Sequence, residues 1–133
     1  MMNTENLKRF IQIAKGDIKA ELVLKNVQVF HVFTGEFLAG DVAIEQGRIA
    51  GIGEYQGVTE IDLSGKYLTP GFMDAHIHIE SSMLSPLEFA RAVVPTGTTT
   101  VIADPHEIAN VTGLEGVEYM LAATESLPLN AYF

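Results

Sequence analysis

The stretch Phe72-Met73-Asp74-Ala75-His76-Ile77-His78-Ile79-Glu80 sets an acid, two histidines and a second acid at alternate positions, with an apolar residue in every gap. In an extended chain successive side chains point to opposite faces, so Asp74, His76, His78 and Glu80 project one way and Met73, Ala75, Ile77 and Ile79 the other. The apolar face needs a covering layer. The polar face offers groups that bind a divalent cation or orient its ligands. A solvated edge strand is the alternative reading, but such faces usually draw on Thr, Ser, Lys and Arg.

The flanks give the strand its surroundings. Pro70-Gly71 precedes it, and Ser81-Ser82 followed by Ser85-Pro86 ends it and opens a helix, with Ser85 as N-cap and Pro86 at the first helical position. That helix spans 86–94, carries Leu87, Ala90 and Val94 at helical spacing, and closes at Thr96-Gly97. Residues 98–103 form a β-branched run that reads as a second buried strand, after which Asp104-Pro105-His106-Glu107 turns the chain. Strand, helix and strand make a βαβ unit with parallel strands and a right-handed crossover, so both carboxyl ends lie at one rim, where ligands of parallel α/β folds bind. His76, His78 and Glu80 are therefore expected near Asp104, His106 and Glu107. His106 taken alone also suits a loop histidine that caps a backbone group. A further helix is expected over 113–125, burying Leu114, Val117, Met120 and Leu121, and 127–133 reads as the start of a third strand.

The first half of the chain follows another pattern. Residues 4–15 form an amphipathic helix with Leu7, Phe10, Ile11 and Ala14 on one side and Gly16 as its stop. Strands follow over 22–33, 41–45, 48–52 and 59–63, with Gln46-Gly47 as a hairpin turn. This is expected to be a small antiparallel β-layer over residues 1–69, distinct from the βαβ region over 70–133. His31, flanked by Phe30 and Val32, reads as a structural histidine. No internal repeat or low-complexity tract is present.

Composition narrows the function. Seventeen acidic against eight basic residues give a net charge of −9, which argues against nucleic acid or an anionic membrane surface as partner. No signal-type leader is seen and no run approaches the ~20 apolar residues needed to span a bilayer, so a cytoplasmic location is expected. With no cysteine, a thiolate nucleophile and thiolate-held zinc are excluded. A metal must be held by His and carboxylate, ligands that suit Zn, Mn or Fe.

Several stretches together resemble the amidohydrolase superfamily: Leu22-Val23-Leu24-Lys25-Asn26, the hairpin through Gly47-Arg48-Ile49, Ile61-Asp62-Leu63-Ser64-Gly65-Lys66, and above all Pro70-Gly71-Phe72-Met73-Asp74-Ala75-His76-Ile77-His78. Two strings, His76-Ile77-His78-Ile79-Glu80-Ser81-Ser82-Met83 and Thr98-Thr99-Thr100-Val101-Ile102-Ala103-Asp104-Pro105-His106-Glu107-Ile108-Ala109-Asn110, are similar to the branch that deaminates adenine.

The resemblance implies an α/β fold, the start of a (β/α)8 TIM-type barrel preceded by part of a β-sandwich. It implies two divalent ions per site, Mn or Fe ahead of Zn, with His76 and His78 as ligands from the first barrel strand. It further implies hydrolysis of adenine to hypoxanthine and ammonia by metal-activated water, in purine salvage, by a homo-oligomer. Asp74, Glu80, Asp104, His106 and Glu107 remain candidates for orienting ligands, for an extra metal site or for touching substrate. The main proton-transfer carboxylate and the remaining ligands of the family come from later strands. A whole barrel needs about 250 residues, so the expectation is an N-terminal portion, inactive by itself. A hydrolase of cyclic amides such as hydantoins or dihydropyrimidines, and a non-catalytic metal-binding fragment, are the alternatives.

Overall fold

Asn3 opens the chain's first helix because its side-chain oxygen accepts the backbone N–H of Asn6 at 2.8 Å, a standard N-cap. In a computed structural model, which describes residues 3–133, this helix is α1, Thr4–Ala14, and Gly16 ends it in the left-handed region. Tertiary contacts divide the chain into two compact units, Met1–Pro70 and Gly71–Phe133.

The first unit is built on β1, Ala20–His31, the longest strand. β2, Glu36–Glu45, pairs with it antiparallel, and β3, Arg48–Gly53, pairs antiparallel with β2. Gln46 and Gly47 between them both have positive φ, as a tight hairpin requires. β4, Gly57–Asp62, and the short β5, Tyr67–Leu68, both lie along β1 and run parallel to it. The expectation of a purely antiparallel layer is corrected here. Alternation in sequence reports which face a residue takes but not the direction of the partner strand, and β5 is too short to give a pattern.

Ile13, Ala20, Val23 and Ala43 form one buried cluster of this unit, and Val27, Val29 and Val42 another. Two buried carboxylates lie beside them. Glu45 accepts from Arg9 Nε of α1 at 2.7 Å and from the Glu21 N–H at 2.9 Å. Asp41 is paired with Lys25 and accepts the N–H groups of Asn26, at 3.0 Å, and Tyr55, at 3.1 Å. Asn26 lies where the β1–β2 register slips and takes a left-handed φ of 58°. His31 places Nδ1 3.0 Å from Thr34 Oγ1, within the turn that follows β1.

The second unit has a parallel sheet in the order β6-β7-β8, with β6 Phe72–Ile77, β7 Thr98–Ala103 and β8 Asn130–Tyr132. α2, Pro86–Val93, joins β6 to β7, and Ser85 caps it by accepting the Glu88 N–H. Two helices, α3 His106–Thr112 and α4 Leu114–Thr124, join β7 to β8. Ile79, Phe89, Ala90, Val101, Ala103, Met120 and Leu129 make the core.

Several local expectations are corrected. The strand ends at Ile77 rather than Glu80, because Ile79 turns into helical φ/ψ and a 3-10 turn runs over Glu80–Ser82. Ile79 is fully buried, and its carbonyl accepts from both the N–H and the Oγ of Ser82, which closes the turn. Met73, expected under cover, is 68% exposed on an edge strand. Leu87 faces outward while Pro86, Phe89 and Ala90 are buried. On α4, Leu114 and Leu121 are exposed, and the buried stripe is Gly116, Met120 and Thr124 at four-residue spacing. The small Gly116 sets that stripe, since a Cβ there would overlap Thr112 and Ile108 of α3. α3 itself has no counterpart among the expected elements.

Candidate metal centre

The carboxyl ends of β6 and β7 are tied together by the Asp104 N–H, which donates to the Ile77 carbonyl at 3.0 Å. Just before that tie the register slips: Asp74 pairs with Val101 and Ile77 with Ala103, so three steps on β6 match two on β7. Such a bulge re-aims the side chains at its position. Ala75 and His76 are the residues it releases from regular pairing. The outcome is that His76 Nε2 and His78 Nε2 face each other at 3.1 Å, with ring centroids 4.9 Å apart.

The tautomer of His78 follows from its second partner. Its Nδ1 lies 2.9 Å from the Asp104 carbonyl, and a carbonyl only accepts, so Nδ1 carries the proton. In the neutral ring Nε2 is then a bare lone pair. A backbone carbonyl fixing the far nitrogen of a ligating imidazole is the usual support in metal sites. Two nitrogens 3.1 Å apart can both reach one cation at metal–nitrogen distances of ~2.0–2.1 Å.

His106 completes the row. Its ring stands edge-on to His78 with centroids 4.7 Å apart, and its Nδ1 lies 3.1 Å from Asp104 Oδ2. The His106 N–H donates to Asp104 Oδ1 at 3.2 Å. Burial pushes the Asp104 carboxyl up, but the hydrogen bonds and charge of His106, aided by His78, outweigh it and hold the group below the ordinary carboxylate range. Asp104 is therefore an anion at neutral pH. One ligand atom each from His78, Asp104 and His106 falls within 4.8 Å of the others. His78 belongs both to this group and to the pair with His76.

The other candidates lie apart from this centre. Asp74 Oδ1 accepts the His76 N–H at 3.1 Å, bracing the bulge. Glu80 accepts the Ile108 N–H at 3.2 Å, and Glu107 takes Ser81 Oγ at 2.8 Å on both carboxylate oxygens. The sequence marks Ser81 only as part of the strand's end; its tie to Glu107 was not legible, since one serine among several next to a helix start carries no distinguishing signal.

The amidohydrolase family profile matches residues 67–133. The chain is 60% identical to adenine deaminase 2 of Carboxydothermus hydrogenoformans, over 95% of this chain and 22% of that protein. It is 57% identical to the adenine deaminase of Clostridium acetobutylicum, over 92% of this chain and again 22% of the relative. The chain thus spans about 22% of the length of these curated relatives. Among solved structures, the N-acyl-D-glutamate deacylase of Bordetella bronchiseptica, complexed with zinc and a phosphonate inhibitor, aligns with a TM-score of 0.54 and 27% identity, over 65% of this chain and 19% of that one. The L-hydantoinase of Arthrobacter aurescens aligns at 0.53 and 24% identity, over 65% of this chain and 21% of that one, a likeness of fold.

Proposed function

This chain belongs to the amidohydrolase family and carries the opening strands of its (β/α)8 barrel, preceded in sequence by a small β-layer; from that premise we propose that it forms the first metal-binding segment of an adenine deaminase. The reading rests on one observation above others. In a sequence 60% identical to such an enzyme, His76 and His78 turn their Nε2 atoms together at 3.1 Å at the carboxyl end of β6.

The donor set fits a divalent cation. His78 presents an unprotonated Nε2, His76 would present a second in the tautomer that carries its proton on Nδ1, and Asp104 is an anion beside them. A cation bound there supplies a water of lowered pKa as the nucleophile for a purine carbon. The chain's own part is to hold and orient. The Asp104 carbonyl fixes His78, the Asp104 carboxylate fixes His106, and that same carboxylate is placed to accept a hydrogen bond from water or from a substrate N–H. In the overall reaction the water oxygen bonds to C6, the C6–N bond breaks, and the amine leaves as ammonia after gaining a proton.

The finer reading takes two ions per site, Mn or Fe ahead of Zn, in a homo-oligomeric cytoplasmic protein of purine salvage, and is supported by the likeness to the adenine deaminases. No described helix is long and apolar enough to cross a membrane. The charge of −9 and the lack of basic clusters suit a neutral free base better than a nucleotide. The test uses the whole protein that carries these residues. His76→Ala and His78→Ala should strip metal, read by elemental analysis, and lower ammonia release from adenine about a thousandfold, ~4 kcal/mol of barrier. Full metal and activity in both variants would return the segment to an ordinary strand. Preference for adenosine, AMP or a dihydropyrimidine over adenine would sink the substrate assignment.

A further inference from the structure

The first turn of α3 has no cap of its own. Its N-cap position is Pro105, which has no side-chain acceptor, so the opening N–H groups must find partners elsewhere. Asp104 Oδ1 takes the His106 N–H at 3.2 Å. The Ile108 N–H, the donor an N-cap side chain would ordinarily satisfy, goes to Glu80 Oε1 at 3.2 Å, from 28 residues earlier in the chain. Beside it, Ser81 Oγ lies 2.8 Å from both oxygens of Glu107. Two consecutive residues that follow His78 thus hold two consecutive residues that follow His106.

Glu80 is an inefficient choice if stability alone is at stake. Its second oxygen, Oε2, is buried with no hydrogen-bond partner among the described residues. An oxygen left without a partner adds nothing to stability beyond the single bond that Oε1 makes. What the bond does secure is placement, because α3 starts at His106 and Asp104 lies two residues before it.

We propose that Glu80 is a positioning residue for the metal centre: by capping α3 from the His78 side, it keeps Asp104 and His106 against His78. The inference rests on the reading of His76 and His78 as metal-holding, and it assigns Glu80 no contact with the cation. Its conservative variant separates the cap from the charge, since the amide oxygen of Glu80→Gln still accepts the Ile108 N–H.

The test is calorimetric titration of the whole protein with Mn2+ alone, with thermal unfolding of the metal-free protein in parallel. Glu80→Ala should weaken Mn2+ binding about 10- to 100-fold, the range for groups that orient ligands, while Glu80→Gln stays within about threefold of the parent. Equal weakening in both variants overturns the capping role, and so does a Glu80→Ala protein that loses thermal stability but keeps its Mn2+ affinity. Should Glu80→Ala fail to fold, Glu80→Asp decides: it keeps the charge but shortens the reach to the Ile108 N–H, so Mn2+ binding should weaken about tenfold, and affinity within about threefold of the parent overturns the proposal. His78→Ala marks the boundary with the underlying reading. Unchanged Mn2+ binding in that variant removes the metal centre itself, whereas loss in His78→Ala with none in Glu80→Ala removes only the role of Glu80.

Discussion

His78 has a proton fixed on one ring nitrogen by a backbone carbonyl and a lone pair aimed at His76 on the other, so a single residue joins the strand pair to the Asp104–His106 group. The alternation of residues 74–80 made the shared face of His76 and His78 legible, and parallel pairing made their meeting with Asp104 and His106 legible too. The departure of Glu80 was not. It depends on Ile79 seeking the core, and a period of two cannot announce the residue at which a strand stops. At this scale the informative substitution is Asp104→Asn. It preserves size but removes the anion that holds His106 Nδ1, so Mn2+ affinity should fall about 10- to 100-fold with little change in far-ultraviolet circular dichroism. Unchanged affinity would mean that the Asp104 backbone carbonyl, not its carboxylate, is what the centre needs.

Among elements, α2 was legible to within a residue because Ser85 and Pro86 mark its start in sequence and in space. α3 was not, since its residues His106–Thr112 mix polar and apolar types, are too few for a periodicity, and follow a proline that cannot cap. Its order comes from Glu80 and Ser81, remote in sequence, and from α4, which follows it after Gly113. The misread stripe on α4 follows from the unexpected presence of α3. Counting large apolar residues favoured Leu114, which is 79% exposed, over Gly116, which is buried because α3 approaches it closely. Gly116→Ala should therefore destabilise the second unit by about 1–3 kcal/mol, against the gain that alanine usually brings to a helix, because the added methyl has to displace Thr112 and Ile108. Urea unfolding measures it. A stabilised Gly116→Ala variant would show that the α3–α4 contact yields freely, and with it the idea that α3 is held firmly enough to position His106.

At the scale of the whole molecule, acidity should act unevenly, because the buried carboxylates among the described residues that carry lowered pKa values both lie in the first unit. Burial pushes Asp41 up, but the hydrogen bond from Lys25, the N–H groups of Asn26 and Tyr55 and the Lys25 charge together bring it below the ordinary carboxylate value. For Glu45 the hydrogen bond from Arg9 leads, opposed by burial and aided by the Glu21 N–H and the Arg9 charge, and the result is again downward. A carboxyl whose folded pKa lies below its unfolded value of ~3.9–4.3 stabilises the fold above that unfolded value. The contribution is lost as pH falls through the folded pKa, where the native carboxylates are protonated and Lys25 and Arg9 lose their partners. The first unit should thus unfold on acidification below about pH 4, and hydrogen exchange should show residues 20–62 losing protection there. Asp41→Asn isolates the cause. It keeps the shape but removes the charged acceptor that Lys25, Asn26 and Tyr55 share, so at pH 7 it should cost about 1–3 kcal/mol. Because the charge is already gone, the stability of the variant should vary less between pH 7 and pH 3, and the two proteins should converge toward acid. Parallel curves, with the same gap at pH 3 as at pH 7, would assign the loss to packing around Asp41 rather than to its ionisation, and would leave the acid response of this unit to Glu45 and the exposed acids.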